Sequence, residues 1–483
     1  MWKSLSRQSI MVQLSFLLSG QAEIMSDQLS QKKQLFESEP IMKALLSLAV
    51  PTIVSQLINL IYSLADTFYI GRTGNPLMLA GVSISSTLFL LCVPMANLFG
   101  IGGGSLVARL MGRNEEQNIP QVCAYSFWMA VLCGTVYSVL ILCFMDPVLR
   151  AVGASDDTIG FCRSYCMLVV VIGMIPSVTG SVSAQLLRNA GYSRQAAIGL
   201  SGGGILNIIL DPLFMFVIFP KGMEVTAAAA ATLLSNILSG IYLVITLVKT
   251  PPLCISPKKA FRAEKPLIRE VLSVGLPSAV LPGLFDLSQI TLNSLMARHG
   301  DLPLAAIGIS SKIERLPNAI GIGISLGMLP LVAYNYSAGN ISRMKDAIRK
   351  GRIMGLSAAA LCIVFYYTCS SSLCRFFIST EASADAAVTL SFAIVFMRIR
   401  CFASPFQFIN YHSSYCLQAV GDGKAAMIHA CIRILGIYIP LMYVFNYFAG
   451  RTALAVAFPV SEALAAVVAI VLLIRMLKRV EAK

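Results

Sequence analysis

Charged residues are scarce in this chain of 483 residues. They make up 12% of the sequence, whereas hydrophobic residues make up 57%. A soluble globular protein carries roughly 25% charged residues. The composition therefore excludes a soluble enzyme and indicates an integral membrane protein.

Histidine is scarce as well, with three residues in the whole chain. The sequence contains no HExxH, no CxxC pair and no Gly-rich phosphate loop. The thirteen cysteines lie mostly inside apolar segments, where such residues serve packing. We therefore expect no enzymatic activity, no metal site and no organic cofactor.

The net charge of +14 by itself is compatible with a nucleic-acid partner. The basic residues, however, concentrate in every second loop between apolar segments, which is the arrangement that orients membrane proteins with basic loops in the cytoplasm. These basic positions are Arg109 and Arg113, Arg188 and Arg194, Lys249 to Arg269, Arg343 to Arg352, and Lys424. We predict a multi-pass protein of the inner or plasma membrane, with both termini cytoplasmic and no nucleic-acid partner.

Apolar segments recur twelve times, each longer than the roughly 20 residues that cross a bilayer. They are residues 43–70, 79–106, 119–145, 161–184, 194–218, 226–248, 267–296, 303–334, 348–374, 384–417, 424–447 and 451–477. The predicted fold is an all-α polytopic membrane protein with twelve transmembrane helices.

The chain divides at a basic linker and repeats itself on either side. Pro51 and Pro277, Gly74 and Gly300, and Ala80 and Ala306 pair at one common offset. The predicted units are a cytoplasmic tail at 1–40, an N-lobe at 41–248, a linker at 249–266, a C-lobe at 267–478 and a tail at 479–483. Six spans per lobe give both lobes the same orientation, so a pseudo-twofold axis along the membrane normal relates them.

The N-terminal tail is polar, and we expect it to be poorly ordered. Its apolar run Ile10–Leu18 is too short to span a membrane. The sequence MSDQLSQKKQ from Met25 reads as a natural start. We interpret the first 24 residues as an upstream-start artefact.

The first span carries a file of polar side chains on one helical face, ending in Asp66. A charged side chain within a membrane helix costs about 2.5–3.5 kcal/mol on insertion scales, so such residues mark a pathway or a cavity. Asn207 and Asp211 in the fifth span lie four residues apart and share a face. Both acids fall in the outer half of their helices and can converge on one proton or cation.

Several motifs at corresponding spans resemble one family. They are ADTFYIGRTGNPLMLAGVSIS, GIGGGSLVARLMGRNE, RNAGYSRQAAIGLSGGGILNIILDPLF, LPLVAYNYSAGN and LQAVGDGKAAMIHACIRI. Together they resemble the multidrug and toxic compound extrusion (MATE) family, most closely its prokaryotic branch named for DNA-damage-inducible protein F. The resemblance implies secondary active efflux of cationic amphipathic organic compounds, coupled to Na⁺ or H⁺ entry.

The resemblance also implies functional residues in the N-lobe. Asp66, Asn207 and Asp211 match the family's cation or proton site, and Tyr62 matches a family position beside it. A sixth-helix threonine completes that site in the family. Thr226 and Thr232 are both available, and Thr232 is preferred because it lies inside the helix.

A second polar set is predicted to line a substrate cavity. Gln56 and Asn59 contribute from the first span, and Asp286, Gln289 and Asn293 from the seventh. Asp286 resembles a seventh-helix acid of the NorM-type branch. That branch also uses a tenth-helix aspartate, which is absent here.

The C-lobe carries an unusual group of charges. They are Lys312, Glu314 and Arg315 in the eighth span and Arg398 and Arg400 in the tenth. One reading is a structural network in which Glu314 pairs with Arg398 or Arg400 and joins two helices. The other is a basic cavity that selects anionic or zwitterionic substrates.

The sequence therefore predicts a monomeric antiporter in contact with membrane lipids, which exports small cationic compounds by alternating access. A lipid or lipid-linked oligosaccharide flippase of the same superfamily is the alternative, and it would account for the arginines of the C-lobe. A channel or receptor is a weaker alternative, because neither predicts a lobe repeat or an embedded acid pair.

Overall fold

The computed structural model describes residues 33–378 and 384–482. Regular structure in these ranges is helical throughout. The long helices are α1 Ile41–Gly71, α2 Pro76–Gly112, α3 Glu116–Cys143, α4 Ile159–Asn189, α5 Ser193–Ile218, α6 Glu224–Val248, α7 Lys265–Ala297, α8 Asp301–Ser337, α9 Ile341–Arg375, α10 Asp385–Ala419, α11 Gly423–Phe448 and α12 Gly450–Glu481. The prediction about the first 24 residues lies outside the described residues.

Eleven of these helices are long and apolar enough to cross a membrane, and α4 makes twelve if its two bent parts form one span. The all-α polytopic fold is therefore confirmed. The two parts of α4 meet at Gly173 with a bend of 44°. Pro176 explains the bend, since a proline lacks the amide hydrogen and clashes with the carbonyl four residues earlier.

Two further irregularities were not predicted from the sequence. Residues 90 and 91 interrupt α2, which continues from Cys92. A 3₁₀ turn, Cys401–Ala403, interrupts α10 just before Pro405. Hydropathy treats both spans as continuous, because an average over many residues does not register a local change in backbone hydrogen bonding.

The two halves of the chain pack together at the face of the bundle where α1 begins and α12 ends, here called the terminal face. Helix α1 packs against α8, and α2 against α7. The contact is so close that glycines are needed. A Cβ atom on Gly275 would lie 1.9 Å from the Leu98 carbonyl oxygen, and one on Gly102 would lie 2.3 Å from the Val271 carbonyl oxygen. The twofold relation between the halves stays a prediction.

A short helical segment precedes α1 and crosses the terminal face. Phe36 is fully buried and stacks on Tyr334 of α8, with ring centroids 5.0 Å apart. Arg343 Nε donates to the Phe36 carbonyl at 2.6 Å, while Lys33 donates to Asn114 at 2.8 Å. The expected disorder is wrong for this segment, because an aromatic anchor and polar contacts to both halves hold it in place.

Gly275→Val is expected to weaken the closed terminal face. The added methyl groups overlap the backbone of α2, and overpacking of this kind typically costs about 1–3 kcal/mol. Thermal unfolding of the detergent-solubilised protein measures the loss. Gly283→Val, in the same helix with nothing within 4 Å of its Cβ, is the matched control. Equal melting temperatures for the two variants would contradict the close α2–α7 contact.

Candidate ion site and substrate cavity

Helices α5 and α6 meet around one amide side chain. Asn207 Nδ2 donates to Asp211 Oδ1 at 3.0 Å and to Thr232 Oγ1 at 3.2 Å. All three residues are buried, and Asp211 is fully so. Spacing of four residues on α5 aligns the amide with the carboxylate, as the sequence predicts. Of the two threonines considered, the structure brings Thr232 to this group.

Asp66 joins the same cluster from α1. Its charge acts on Asp211, and both acids act on the Tyr62 hydroxyl one turn earlier in α1. One side-chain oxygen on each of Asp66, Asn207 and Asp211 is buried and accepts no hydrogen bond. A set of two carboxylates, an amide oxygen and a hydroxyl has the oxygen-only chemistry that suits a hard cation, and it can equally take up a proton.

A glycine lets α1 and α5 come close enough to form this cluster. A Cβ on Gly204 would lie 3.0 Å from Ile58 Cγ2 and 3.8 Å from Tyr62 Cβ. The neighbouring Gly203 similarly meets Ser239 of α6 at 2.8 Å. Gly203 and Gly204 therefore serve helix contact, because small residues permit close packing in membranes.

A cavity of about 550 Å³ lies between the two halves. Four of the five predicted cavity residues line it: Gln56, Asn59, Asp286 and Gln289. Asn293 does not, because it lies one turn beyond Gln289 and is exposed. The lining also excludes Asp66, Asn207 and Asp211. The acid cluster and the cavity are therefore separate sites, and α1 contributes residues to both.

The deep end of the cavity, next to the terminal face, is polar. Ser278 Oγ of α7 bonds Gln418 Oε1 of α10 at 2.9 Å. Asn97 Nδ2 of α2 donates to the Ser278 carbonyl at 3.2 Å, which ties the two halves together. Arg188 and Tyr415 also line this end.

Arg188 was predicted only as a basic loop residue. Apolar patterning ended the fourth span at residue 184, but the helix continues to Asn189. The extra turn carries Arg188 into the protein interior. The sequence around Arg188 did not indicate that its side chain is buried. Its burial depends on how α4 packs against α2.

The predicted charge network of the C-terminal half forms only in part. Arg400 Nε and Nη2 donate to Glu314 Oε2 at 2.8 and 2.7 Å. Arg398 instead donates to Ser370 Oγ at 3.0 Å, because residues two apart on a helix face different sides. Lys312 is exposed, so it does not belong to a buried network.

The remaining charge of this set faces the cavity, which Glu314 and Arg400 also line. Arg315 lines it, and its charge acts on Asp286, which is accessible from the cavity. A second, fully interior ion pair lies behind them, with Arg433 Nη2 2.9 Å from Glu462 Oε2. Asn410 Nδ2 donates to the same carboxylate oxygen at 2.7 Å.

Comparison with known proteins supplies the family. The MatE family model matches residues 51–213 and 277–444, two segments that begin at the same two prolines that the internal repeat aligns. The multidrug export protein MepA of Staphylococcus saprophyticus is 26% identical over 437 residues, which is 90% of this chain and 94% of the relative. MepA of Staphylococcus aureus is 26% identical over 438 residues, with the same coverage of both chains.

Solved structures agree in fold. A MATE protein crystallised in complex with MaL6 superposes with a TM-score of 0.87 at 22% identity, covering 93% of this chain and 99% of the other. An outward-facing multidrug resistance MATE transporter of the MOP superfamily gives 0.86 at 22% identity, covering 93% and 98%. The predicted family is therefore confirmed, and the chain belongs to the MATE family of multidrug transporters and is not an enzyme.

Proposed function

We propose that this multidrug efflux transporter is a secondary active antiporter, which exports cationic amphipathic compounds in exchange for Na⁺ or H⁺. The observation that carries the proposal is the pair of embedded acids, Asp66 and Asp211, with their unpaired buried oxygens. Two neighbouring carboxylates repel each other, so a shared cation or proton stabilises the cluster. Oxygen ligands serve both ions, and the proposal covers both.

Helix α1 connects ion binding to the cargo. Asp66 lies seven residues beyond Asn59 and ten beyond Gln56, about 10 and 15 Å along the helix at 1.5 Å per residue. A change in the charge of the acid cluster can therefore reposition α1 and the cavity wall that it forms. Occupation by the ion favours release of the cargo, and loss of the ion favours its capture.

The cavity chemistry fits a small organic cation. Asp286 offers a negative charge within reach of the cavity, and amides from Gln56, Asn59 and Gln289 offer hydrogen bonds. Apolar side chains such as Phe285 and Phe458 supply adaptable walls. No organic cofactor is needed for this cycle.

The closed terminal face supports a proposal for the conformational state. If the basic loops are cytoplasmic, the lobes are shut toward the cytoplasm and the cavity opens outward. Alternating access then requires the glycine contacts of α1, α2, α7 and α8 to separate. We infer a monomer in the inner or plasma membrane, in contact with lipids, with both termini cytoplasmic.

The pairing of the arginines bears on the flippase alternative. Arg400 and Arg433 each have a carboxylate partner, so they are not free to hold a lipid phosphate. This removes those two arginines from the basic character that favoured a lipid-linked substrate, and the antiporter remains the proposal.

Transport into proteoliposomes tests the antiport. The probe is rhodamine B methyl ester, a permanent cation, with Na⁺ and pH gradients imposed separately. We expect one of the two gradients to drive dye movement against the direction of ion flow, and an ionophore for that ion to abolish it. Dye movement that depends on neither gradient would overturn the proposal. Protein-free liposomes give the background rate of dye movement.

A further inference from the structure

Four arginines are buried among the described residues, and one of them differs from the rest. Three have a carboxylate within salt-bridge distance. The pairs are Arg109 with Glu270 at 2.6 Å, Arg400 with Glu314 at 2.7 Å, and Arg433 with Glu462 at 2.9 Å. Arg188, only 2% exposed, has no acidic partner within the described ranges.

The hydrogen bonding of Arg188 is incomplete. Its Nη1 donates to Gln185 Oε1 at 2.7 Å. Its Nε is buried and donates to no acceptor. Tyr415 is the titratable neighbour that acts on it, and a phenol is neutral at ordinary pH. A buried cation without a counter-charge is unfavourable by several kcal/mol, so a bound anion would stabilise this guanidinium.

The position of Arg188 indicates that such an anion would reach it through the cavity. Arg188 and Gln185 both line the cavity between the lobes. Gln185 packs on Gly100 of α2, where an added Cβ would meet it at 2.9 Å, which places Arg188 at the deep end. The other polar groups at that end, Tyr415 and Gln418, are uncharged. The deep end therefore carries a single positive charge.

An acidic residue of the cavity lies farther out. Ser278, at the deep end, precedes Asp286 by eight residues on α7, about 12 Å along the helix axis at 1.5 Å per residue. Both residues line the same cavity. The cavity thus presents Arg188 at its floor and Asp286, with Arg315 beside it, nearer its mouth.

We propose that Arg188 is an anion-binding subsite, and that the cavity accepts zwitterionic amphipaths whose carboxylate meets Arg188 while their cationic group meets Asp286. The forked guanidinium matches the two oxygens of a carboxylate, and such charge-assisted bonds are the stronger kind. This deepens the proposed efflux function and rests on it, since the same cavity carries the cargo.

Matched dyes test the subsite in the full-length detergent-solubilised protein. Rhodamine B has a free carboxylate and is a zwitterion, whereas its methyl ester is a cation of nearly the same size. Fluorescence anisotropy measures the Kd of each dye. We expect the wild-type protein to bind rhodamine B at least as tightly as the ester, despite the additional desolvation of the carboxylate.

Arg188→Gln is expected to raise the Kd of rhodamine B about tenfold or more, since hydrogen bonds to charged groups are the strong ones. The Kd of the ester should change less than about twofold by the same reasoning. Arg188→Lys retains the charge and should retain part of the affinity for the free acid. Arg194→Gln, an exposed arginine just beyond the end of α4, is the control and should change neither Kd.

An equal loss for both dyes in Arg188→Gln would overturn the subsite, as would no loss for either. If that variant does not fold, the wild-type comparison decides by itself: clearly weaker binding of rhodamine B than of its ester contradicts the proposal. Gradient-driven transport of the ester tests the antiport separately, so failure of one idea is distinguishable from failure of the other.

Discussion

Asp66→Asn is expected to abolish ion-coupled efflux, reducing gradient-driven accumulation of rhodamine B methyl ester to the level of protein-free liposomes. The amide keeps the size of the side chain and its place on α1, but it cannot take up a proton or offer a full negative charge to a cation. Asp211 then lacks the neighbouring charge that acts on it. The measurement is dye uptake in proteoliposomes under imposed gradients.

The variant should fold and still bind the dye. Asp66 is not part of the cavity lining, so the Kd of the ester should stay within about threefold of the value for wild-type protein whose acid cluster is occupied, an energy well below that of one lost charged hydrogen bond. Thr67→Val is the control, since Thr67 is the next residue, is exposed, and bonds only the Ser63 carbonyl of its own helix. Full transport by Asp66→Asn would remove Asp66 from the mechanism.

Glu462→Gln is expected to be the most destabilising of the conservative changes considered. It leaves Arg433 buried at 1% exposure without its carboxylate, and breaking a buried pair from one side costs about 3–5 kcal/mol. The guanidinium also lies 4.7 Å from the ring centroids of Phe285 and Tyr411, so its displacement disturbs the cavity wall. Thermal unfolding in detergent measures the effect.

Glu481→Gln is the matched control for that measurement. Glu481 pairs with Lys345 at the surface, where both side chains are about half exposed. Surface pairs contribute roughly 0–1 kcal/mol, so the melting temperature should hardly change. A melting temperature for Glu462→Gln as high as that of Glu481→Gln would show that the interior pair does not hold the C-terminal half together.

The sequence located the spans well because lipid imposes length and apolarity on a membrane helix. Observed bounds differ from the predicted ones mainly where polar turns extend a helix past its apolar run, as at Asn189 and at Ile341. The bend in α4 and the break in α10 depend on prolines whose effect hydropathy does not register.

The acids were accessible to sequence reasoning for a related reason. An ionisable residue within a membrane span is costly, so Asp66 and Asp211 could be recognised as candidates from their positions in apolar spans. The sequence could not identify the partner of Glu314. Choosing between Arg398 and Arg400 requires knowledge of how α10 is oriented about its own axis. Arg188 remained hidden because the lack of a partner is a property of the packed structure.

The central claim is that the acid cluster, at a distance from the cavity, holds the ion that controls cargo binding. Ion and cargo must then affect each other's affinity reciprocally. The most direct measurement is the Kd of rhodamine B methyl ester against Na⁺ concentration at fixed pH, and against pH at fixed Na⁺. We expect Na⁺ or acid to weaken dye binding in the wild type and in Asp286→Asn, whose Kd is higher throughout, but to have no effect in Asp66→Asn or Asp211→Asn. A cation dependence that persists in both of the latter variants would contradict the claim.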